Sequence, residues 1–390
     1  IDRVVLVGYS FGADILPAAY RMMPPDEQSQ VAEISLLGLS DQVDYVISAG
    51  AFLGTNSGDG KTFLSVVSVD ITKLQSIGVS TIVGRPGAVY ASPDALYIAQ
   101  RHQPEGMGGQ WFYGEGEDFK EATTVHKFAF DGGTATTYRG SGAVKGHLLN
   151  QFAMDELNGY LRIATSMGRV PDPDVYSTVA ALKEQNGELV VVGMVDGLAP
   201  HEDIRSVRFN GTTGYVVTFK KTDPLFVIDL ANPELPVVKG ELKIPGYSTY
   251  MHMMDATHIL SIGYDADDMG DFAWFNGLLL QVFDVSDMEN PTLLHKHVIG
   301  TRGSASDAAT NHLAFNYFAS KGLLAIPMTV CEGGTGGSFG NQMTFSGLMV
   351  FKVGVDAGFQ YLGGVSHEVP KDFNDGAACS SWWTQSNSLV

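Results

Sequence analysis

Two hydrophobic patterns divide the chain. Apolar runs at residues 3–7 and 31–38 read as buried strands. Between them, GADILPAAYRM at 12–22 carries a helical spacing that Pro24 and Pro25 stop. From about residue 61 that spacing disappears. Apolar and polar positions alternate instead, the period-2 signature of half-buried strands. Gly, Asp, Asn and Pro separate the runs, as turns require.

A phrase returns through this second region. Leu225-Phe226-Val227-Ile228-Asp229 precedes Asn232-Pro233, and Leu280-Gln281-Val282-Phe283-Asp284 precedes Asn290-Pro291. Related runs occur at Val66–Ile71, His126–Asp131 and Gly347–Val353. Asp229 and Asp284 are 55 residues apart, and Asp70 and Asp131 are 61 apart. Each phrase leads through a turn to a second strand, such as Val237–Ile244 or Leu293–Ile299. A pair of the type Ser206–Phe209 and Gly214–Phe219 completes the unit. It recurs as Gln151–Met154 with Gly159–Ala164, and as His312–Phe315 with Gly322–Ile326. The Asp is expected to open the turn by accepting backbone N–H bonds. Such spacing fits four-stranded blades, about six or more, with five full units and an incomplete sixth at 347–390. The expected fold is therefore an all-β β-propeller over 51–390, preceded by a short strand–turn–helix–strand fragment over 1–50.

Composition agrees with that pattern. With 46 Gly and 16 Pro in 390 residues, turns are frequent enough for many short strands. Charged residues are only 17%, and the net charge is −19. An acidic, Lys-poor chain repels nucleic acid and anionic lipid but tolerates divalent cations. No apolar run is long enough to cross a membrane as a helix. The chain starts inside a strand without an initiator Met, so a preceding segment is expected. Closure of a ring is expected to need residues beyond Val390.

Several residues could carry chemistry. The run Val4–Val7 leads into Gly8-Tyr9-Ser10-Phe11-Gly12. That is G-x-S-x-G, the elbow that turns a strand into a helix and projects a nucleophilic serine, here Ser10. A serine needs a general base and an oriented acid. The nearest histidines, His102 and His126, fall in the strand-rich region. Residues 265–271 bring four carboxylates together around Gly270. Hard oxygens at this spacing suit Ca²⁺, with Asp265, Asp267 and Asp271 as expected ligands; the alternative is a solvated acidic loop. Met251, His252, Met253, Met254 and His258 offer soft donors, but strand alternation sends His252 to the face opposite Met251 and Met253. An ordinary strand pair is the better reading there. Cys331 and Cys379 form a disulfide if the chain is secreted and stay free thiols in a cytosol. Trp111, Trp274, Trp382 and Trp383 suit blade packing as well as a ligand platform.

Two family resemblances sharpen these expectations. The stretch GYSFGADILPAAYRMMPPDEQSQVAEISLLGLSDQVDY resembles the VirJ/AcvB virulence-protein family, bacterial periplasmic proteins with an α/β-hydrolase core. It covers about residues 1–48. It implies Ser10 as the nucleophile of an esterase or lipase, including one acting on aminoacylated phosphatidylglycerol. The stretches GSGAVKGHLLNQFAMDELNGYLRIAT, DIRSVRFNGTTGYVVTFKKTDPLFVIDLANPELPVVKGELKIPGYSTYMH and VIGTRGSASDAATNHLAF look like the secreted C-terminal β-propeller domain family, distantly related to WD40 repeats. That resemblance covers about residues 61–390. It implies a propeller outside the cytoplasm (secreted, periplasmic or on the cell surface) with no established catalytic site. The function expected is a binding scaffold without catalytic activity of its own. It would hold a protein or small-molecule ligand at its loop-rich face or channel, with no nucleic-acid partner. The alternative is a serine hydrolase using Ser10, with the propeller as accessory domain.

Overall fold

The computed structural model describes residues 4–9, 31–37, 63–69, 77–84, 87–102, 121–130, 136–219, 223–244, 246–268, 273–367 and 379. They fall into two compact units. One is Ile1–Met167 with Val179–Met194, the other Gly168–Thr178 with Val195–Val390.

The first unit opens with a four-stranded sheet ordered β1 (Val4–Tyr9), β2 (Val31–Leu37), β3 (Phe63–Val69), β4 (Ile77–Val83). β1 and β2 are parallel, the pairing that a crossover connection gives. The expected helix at 12–22 and Ser10 lie outside the described residues. β2 pairs antiparallel with β3, Leu36 opposite Val67. So a strand from the first fifty residues and one from the repetitive region share a sheet.

An eight-stranded sheet follows. It consists of two antiparallel meanders. One is β5 (Val89–Ala91), β6 (Ala95–His102), β7 (Ala122–Phe130) and β8 (Thr136–Lys145). The other is β9 (Met154–Leu157), β10 (Tyr160–Met167), β11 (Tyr176–Gln185) and β12 (Glu188–Leu198). They touch edge to edge through β8 and β12, at Ser141 and Glu188. Glycine allows that approach. A Cβ on Gly140 or Gly142 would overlap the carbonyl oxygens of Gly187 and Leu189. β6 buries both faces. Tyr97 and Ala99 pack with Val125, Leu161, Ile163 and Leu182, while Leu96 and Ile98 pack with Leu64, Val66 and Phe128. Charges near this core are paired, as burial demands. Lys127 reaches Glu156 (3.7 Å) and Glu184 (3.3 Å), and Arg139 meets Glu184 at 2.9 Å.

The second unit holds three further antiparallel sheets of four strands in sequence order. The first is β13 (Asp203–Asn210), β14 (Thr213–Phe219), β15 (Asp223–Asp229), β16 (Val237–Ile244). The second is β17 (Tyr247–Met253), β18 (His258–Asp268), β19 (Ala273–Asp284), β20 (Thr292–Ile299). The third is β21 (Asn316–Phe318), β22 (Leu323–Glu332), β23 (Gln342–Gly354), β24 (Gly358–Ser366). The middle sheet is apolar on both sides. Ile259 and Phe283 pack with Tyr215, Val217, Leu225 and Val227 of the sheet before. Leu260, Ile262, Leu278 and Leu280 pack with Leu324, Ile326, Met328 and Phe351 of the sheet after. The recurrent Asp does open its turn. Asp229 Oδ1 accepts the Ala231 N–H at 2.9 Å, and Asp284 Oδ1 accepts the Ser286 N–H at 2.8 Å.

Three sequence expectations need correction. Residues 151–153 and 312–314 are single 3-10 turns, not strand starts. Asn150 and Asn311 cap them, accepting from the N–H groups of Phe152 and Leu313. A side-chain carbonyl that satisfies those donors diverts the backbone from the ladder, so β9 and β21 begin at Met154 and Asn316. The run Gly347–Val353 opens no unit of its own: it lies in β23, the third strand of the sheet that β21 and β22 start.

The β8–β12 junction gives a direct test. Gly142→Ala should lower the stability by about 1–3 kcal/mol in urea denaturation, the range of overpacking. Gly159→Ala, at an open turn where nothing crowds a Cβ, should cost about 1 kcal/mol through its positive φ alone. Equal costs at the two sites would mean that the strands do not depend on the close approach.

Candidate functional site

In the second unit, the hairpin β18–β19 and the two loops at 300–306 and 333–341 gather most of the chemistry. Asp267 stands opposite Trp274 in the hairpin register. The Asn276 amide donates to Asp265 Oδ2 (3.2 Å) and to Asp267 Oδ2 (3.0 Å). Spacing of two on β18 and one amide on β19 thus converge the two carboxylates. Lys296 of β20 pairs with Asp265 Oδ1 at 2.6 Å, balancing the acid as the site leaves water. These acids sit at the end of a strand, not in a loop. Asp271, the third expected Ca²⁺ ligand, lies outside the described residues. Among the described residues, no three His, Cys, Asp or Glu side chains gather to hold a metal ion.

Beside the acids, the loops are fastened to one another. Arg302 lies between two rings, its guanidinium carbon 5.2 Å from the Trp274 centroid and 4.3 Å from that of Phe339. Its Nη1 donates to the Gly337 carbonyl. The Gly340 N–H donates to the Arg302 carbonyl at 2.8 Å. A guanidinium held on two ring faces is attracted by both quadrupoles and loses its freedom to rotate. Trp274 is therefore a packing surface whose partner is the chain itself. Sequence reasoning named Trp274 but missed Arg302 and Phe339. They come from loops whose adjacency no local pattern encodes.

Cys331 and Cys379 are bonded, with Cα atoms 6.1 Å apart, and both are buried against Met343. The surrounding loop is built on the same residue. The Cys331 carbonyl accepts from the Thr301 N–H (2.7 Å) and Thr301 Oγ1 (2.9 Å), and the Cys331 N–H donates to Ser304 Oγ (2.9 Å). A second ring group lies at the same strand ends. Tyr247 packs on Phe219 (4.6 Å between centroids), Phe275 (5.5 Å) and Tyr264 (5.8 Å), with Arg205 over its face at 5.7 Å. Burial, with Asp307 nearby, pushes the Tyr264 hydroxyl above its usual range.

The soft-metal donors part company as alternation requires. Met251 is buried in the core between sheets, whereas His252 is half-buried on the other side of β17. His258 Nδ1 is held by Asp255 at 2.9 Å.

Repeated four-stranded sheets, packed through both faces and closed by Asp turns, now meet a family match. The beta propeller domain family matches residues 17–390. The chain belongs to that family. The match begins at residue 17, inside the stretch for which a hydrolase-like fragment was expected. This propeller is 37% identical over 207 residues to an uncharacterized protein of Archaeoglobus fulgidus, covering 53% of the chain and 30% of that protein. It is 46% identical over 157 residues to one of Methanocaldococcus jannaschii, covering 40% of the chain and 24% of that protein. The chain thus spans less than a third of the length of either relative. Two solved structures are similar at 12% identity. One is a protein of Lactobacillus plantarum (TM-score 0.42, 81% of each chain). The other is Kuenenia stuttgartiensis hydrazine synthase (TM-score 0.38, 72% of this chain and 79% of that one).

Two outcomes are expected of this end of the propeller. Replacing both cysteines by Ala should cost roughly 4 kcal/mol in the chain-entropy model for a closed loop of 48 residues, measured by urea denaturation. A loss under about 1 kcal/mol would show that the loops hold without the bond. If Asp265, Asp267 and Asp271 hold Ca²⁺, as the sequence spacing predicts, adding the ion should raise the melting temperature of chelator-treated protein. The rise should be larger in Lys296→Met, because the ammonium competes for Asp265. Unchanged melting curves in both proteins would remove calcium from this site.

Proposed function

We propose that this propeller is an extracytoplasmic binding scaffold without catalytic activity of its own. Its loop-bearing strand ends in the second unit would present a rigid surface to a protein or small-molecule ligand. The observation that carries this reading is the fastening of those loops. Arg302, stacked on Trp274 and Phe339, ties 300–306 to 333–341, and the backbone of the disulfide-bonded Cys331 anchors Thr301 and Ser304. Loops fixed in advance lose little entropy on binding, the general advantage of preorganisation. The same disulfide supports an oxidising compartment, where such bonds persist. The net charge of −19 argues against nucleic acid as the partner.

Two measurements test the reading. In cells, Cys331 and Cys379 should resist alkylation until a reductant is added. Free thiols in freshly quenched cells would remove the extracytoplasmic assignment. A chain that acts by binding leaves Ser10 inert, since a serine without a base and an acid is a poor nucleophile. A fluorophosphonate probe should therefore give no labelling. Stoichiometric labelling abolished by Ser10→Ala would replace the scaffold reading with a hydrolase.

A further inference from the structure

The hairpin β13–β14 turns on a tripeptide of defined chemistry. Asn210-Gly211-Thr212 is Asn-x-Thr with x not proline, the pattern at which an asparagine amide accepts a sugar in an exported chain. The 390 residues contain an Asn-x-Ser/Thr pattern of this kind once. Asn290-Pro291-Thr292 has the same outer residues, but its central proline bars it.

The fold presents the tripeptide to solvent. β13 ends at Asn210 and β14 begins at Thr213, and these two residues pair across the ladder. Gly211 and Thr212 are the whole connection, and both are exposed. Gly211 has φ +53°, a left-handed value that lets the chain reverse in two residues. A Cβ built on it meets nothing within 4 Å, so the tip stands clear of the described residues. Alternation buries Phe209 and turns Asn210 to the other side, where it is half-buried. Asn210 Nδ2 donates to the Ala256 carbonyl at 3.4 Å, a long and weak bond. An amide has two such hydrogens. An N-linked sugar replaces one of them, so the modified side chain can still donate the other to Ala256.

The turn also lies at the end of its sheet away from the loops. At the other end of β13, Asp203 pairs with Phe219, and Phe219 stacks on Tyr247. The strand between these ends is about 23 Å long at 3.3 Å per residue. A sugar at Asn210 leaves the loop-bearing strand ends open.

We propose that Asn210 is an N-glycosylation site. The proposal rests on the extracytoplasmic reading, because such transfer occurs on exported chains. The co-substrate is an oligosaccharide carried on a polyprenyl phosphate or diphosphate, used by a membrane transferase. Asn210 Nδ2 attacks the anomeric carbon and gives up a proton to a base of the transferase. The nitrogen–carbon bond forms as the bond from that carbon to the carrier's phosphate oxygen breaks. The carrier leaves with the electron pair, and nothing is oxidised or reduced. The Thr212 hydroxyl is the group by which the transferase reads the tripeptide. Transfer belongs to the chain before β13 and β14 pair, and the exposed tip then holds the product without rearrangement. The sugar makes this end of the sheet bulky and hydrophilic, which directs a macromolecular partner to the opposite end.

The test is mass spectrometry of the full chain, isolated from the cells that make it and digested with trypsin. Cleavage after Arg208 and Lys220 releases Phe209–Lys220, which holds the whole tripeptide. This peptide should carry the mass of an oligosaccharide. Asn210→Gln and Thr212→Ala should each abolish that increment, and Thr212→Ser should keep it. Thr212→Ala leaves the Asn210 side chain in place and serves if Asn210→Gln does not fold. The alkylation state of Cys331 and Cys379 is read from the same sample. An unmodified peptide from chains with the disulfide intact overturns the proposal and leaves the extracytoplasmic reading standing. An unmodified peptide together with free thiols removes both. An increment that survives Thr212→Ala also overturns the proposal, because the tripeptide is then not what is read.

Discussion

Face-to-face burial of successive four-stranded sheets is the constraint on which the second unit rests. Each sheet buries about 10 Å of packed side chains against its neighbour, and a middle sheet must do so twice. β18 shows the consequence. Ile259 turns to one neighbouring sheet while Leu260 and Ile262 turn to the other. An inner strand therefore has no solvated face on which to place a charge. At about 25 cal/mol per Å² of apolar surface, these two interfaces dominate the stabilisation available to the sheet. Chemistry is displaced to strand ends, to the connecting loops and to the first strand of each sheet.

That displacement explains what the sequence made legible. Strand positions repeat because burial repeats, so the apolar run closed by Asp marked β15 and β19 and their turns correctly. The disulfide partners were readable because the chain holds two cysteines. The 3-10 turns at 151–153 and 312–314 were not. Their residues, Gln-Phe-Ala and His-Leu-Ala, fit a strand, and the decision was made by the Asn before each. The edge contact at Gly140 and Gly142 was also hidden. It depends on carbonyls more than forty residues away, and a glycine in a strand does not say what approaches it.

The candidate site divides in the same way. Asp265 and Asp267 were found by local spacing, but the Asn276 amide and the Lys296 ammonium come from β19 and β20. Their presence changes the chemistry of the acids. Two converging carboxylates alone would favour a cation strongly. With an ammonium already on Asp265, any metal must first displace it, and its affinity falls by the strength of that ion pair. Acid spacing on one strand measures the charge that is offered. The cross-strand partners measure how much of it is left.

The loop end therefore suits one kind of ligand. At the loop end the strong groups are engaged by the chain: Arg302 by Trp274, Phe339 and Gly337, and Lys296 by Asp265. Such a surface offers fixed shape, which favours a large partner that gains its affinity from area and complementarity. β17 shows the same constraint on a first strand. Met251 fills the core against the sheet before, while Tyr250 packs with Phe315 against the sheet after. Burial on two sides thus sets the direction of its side chains as it does on β18.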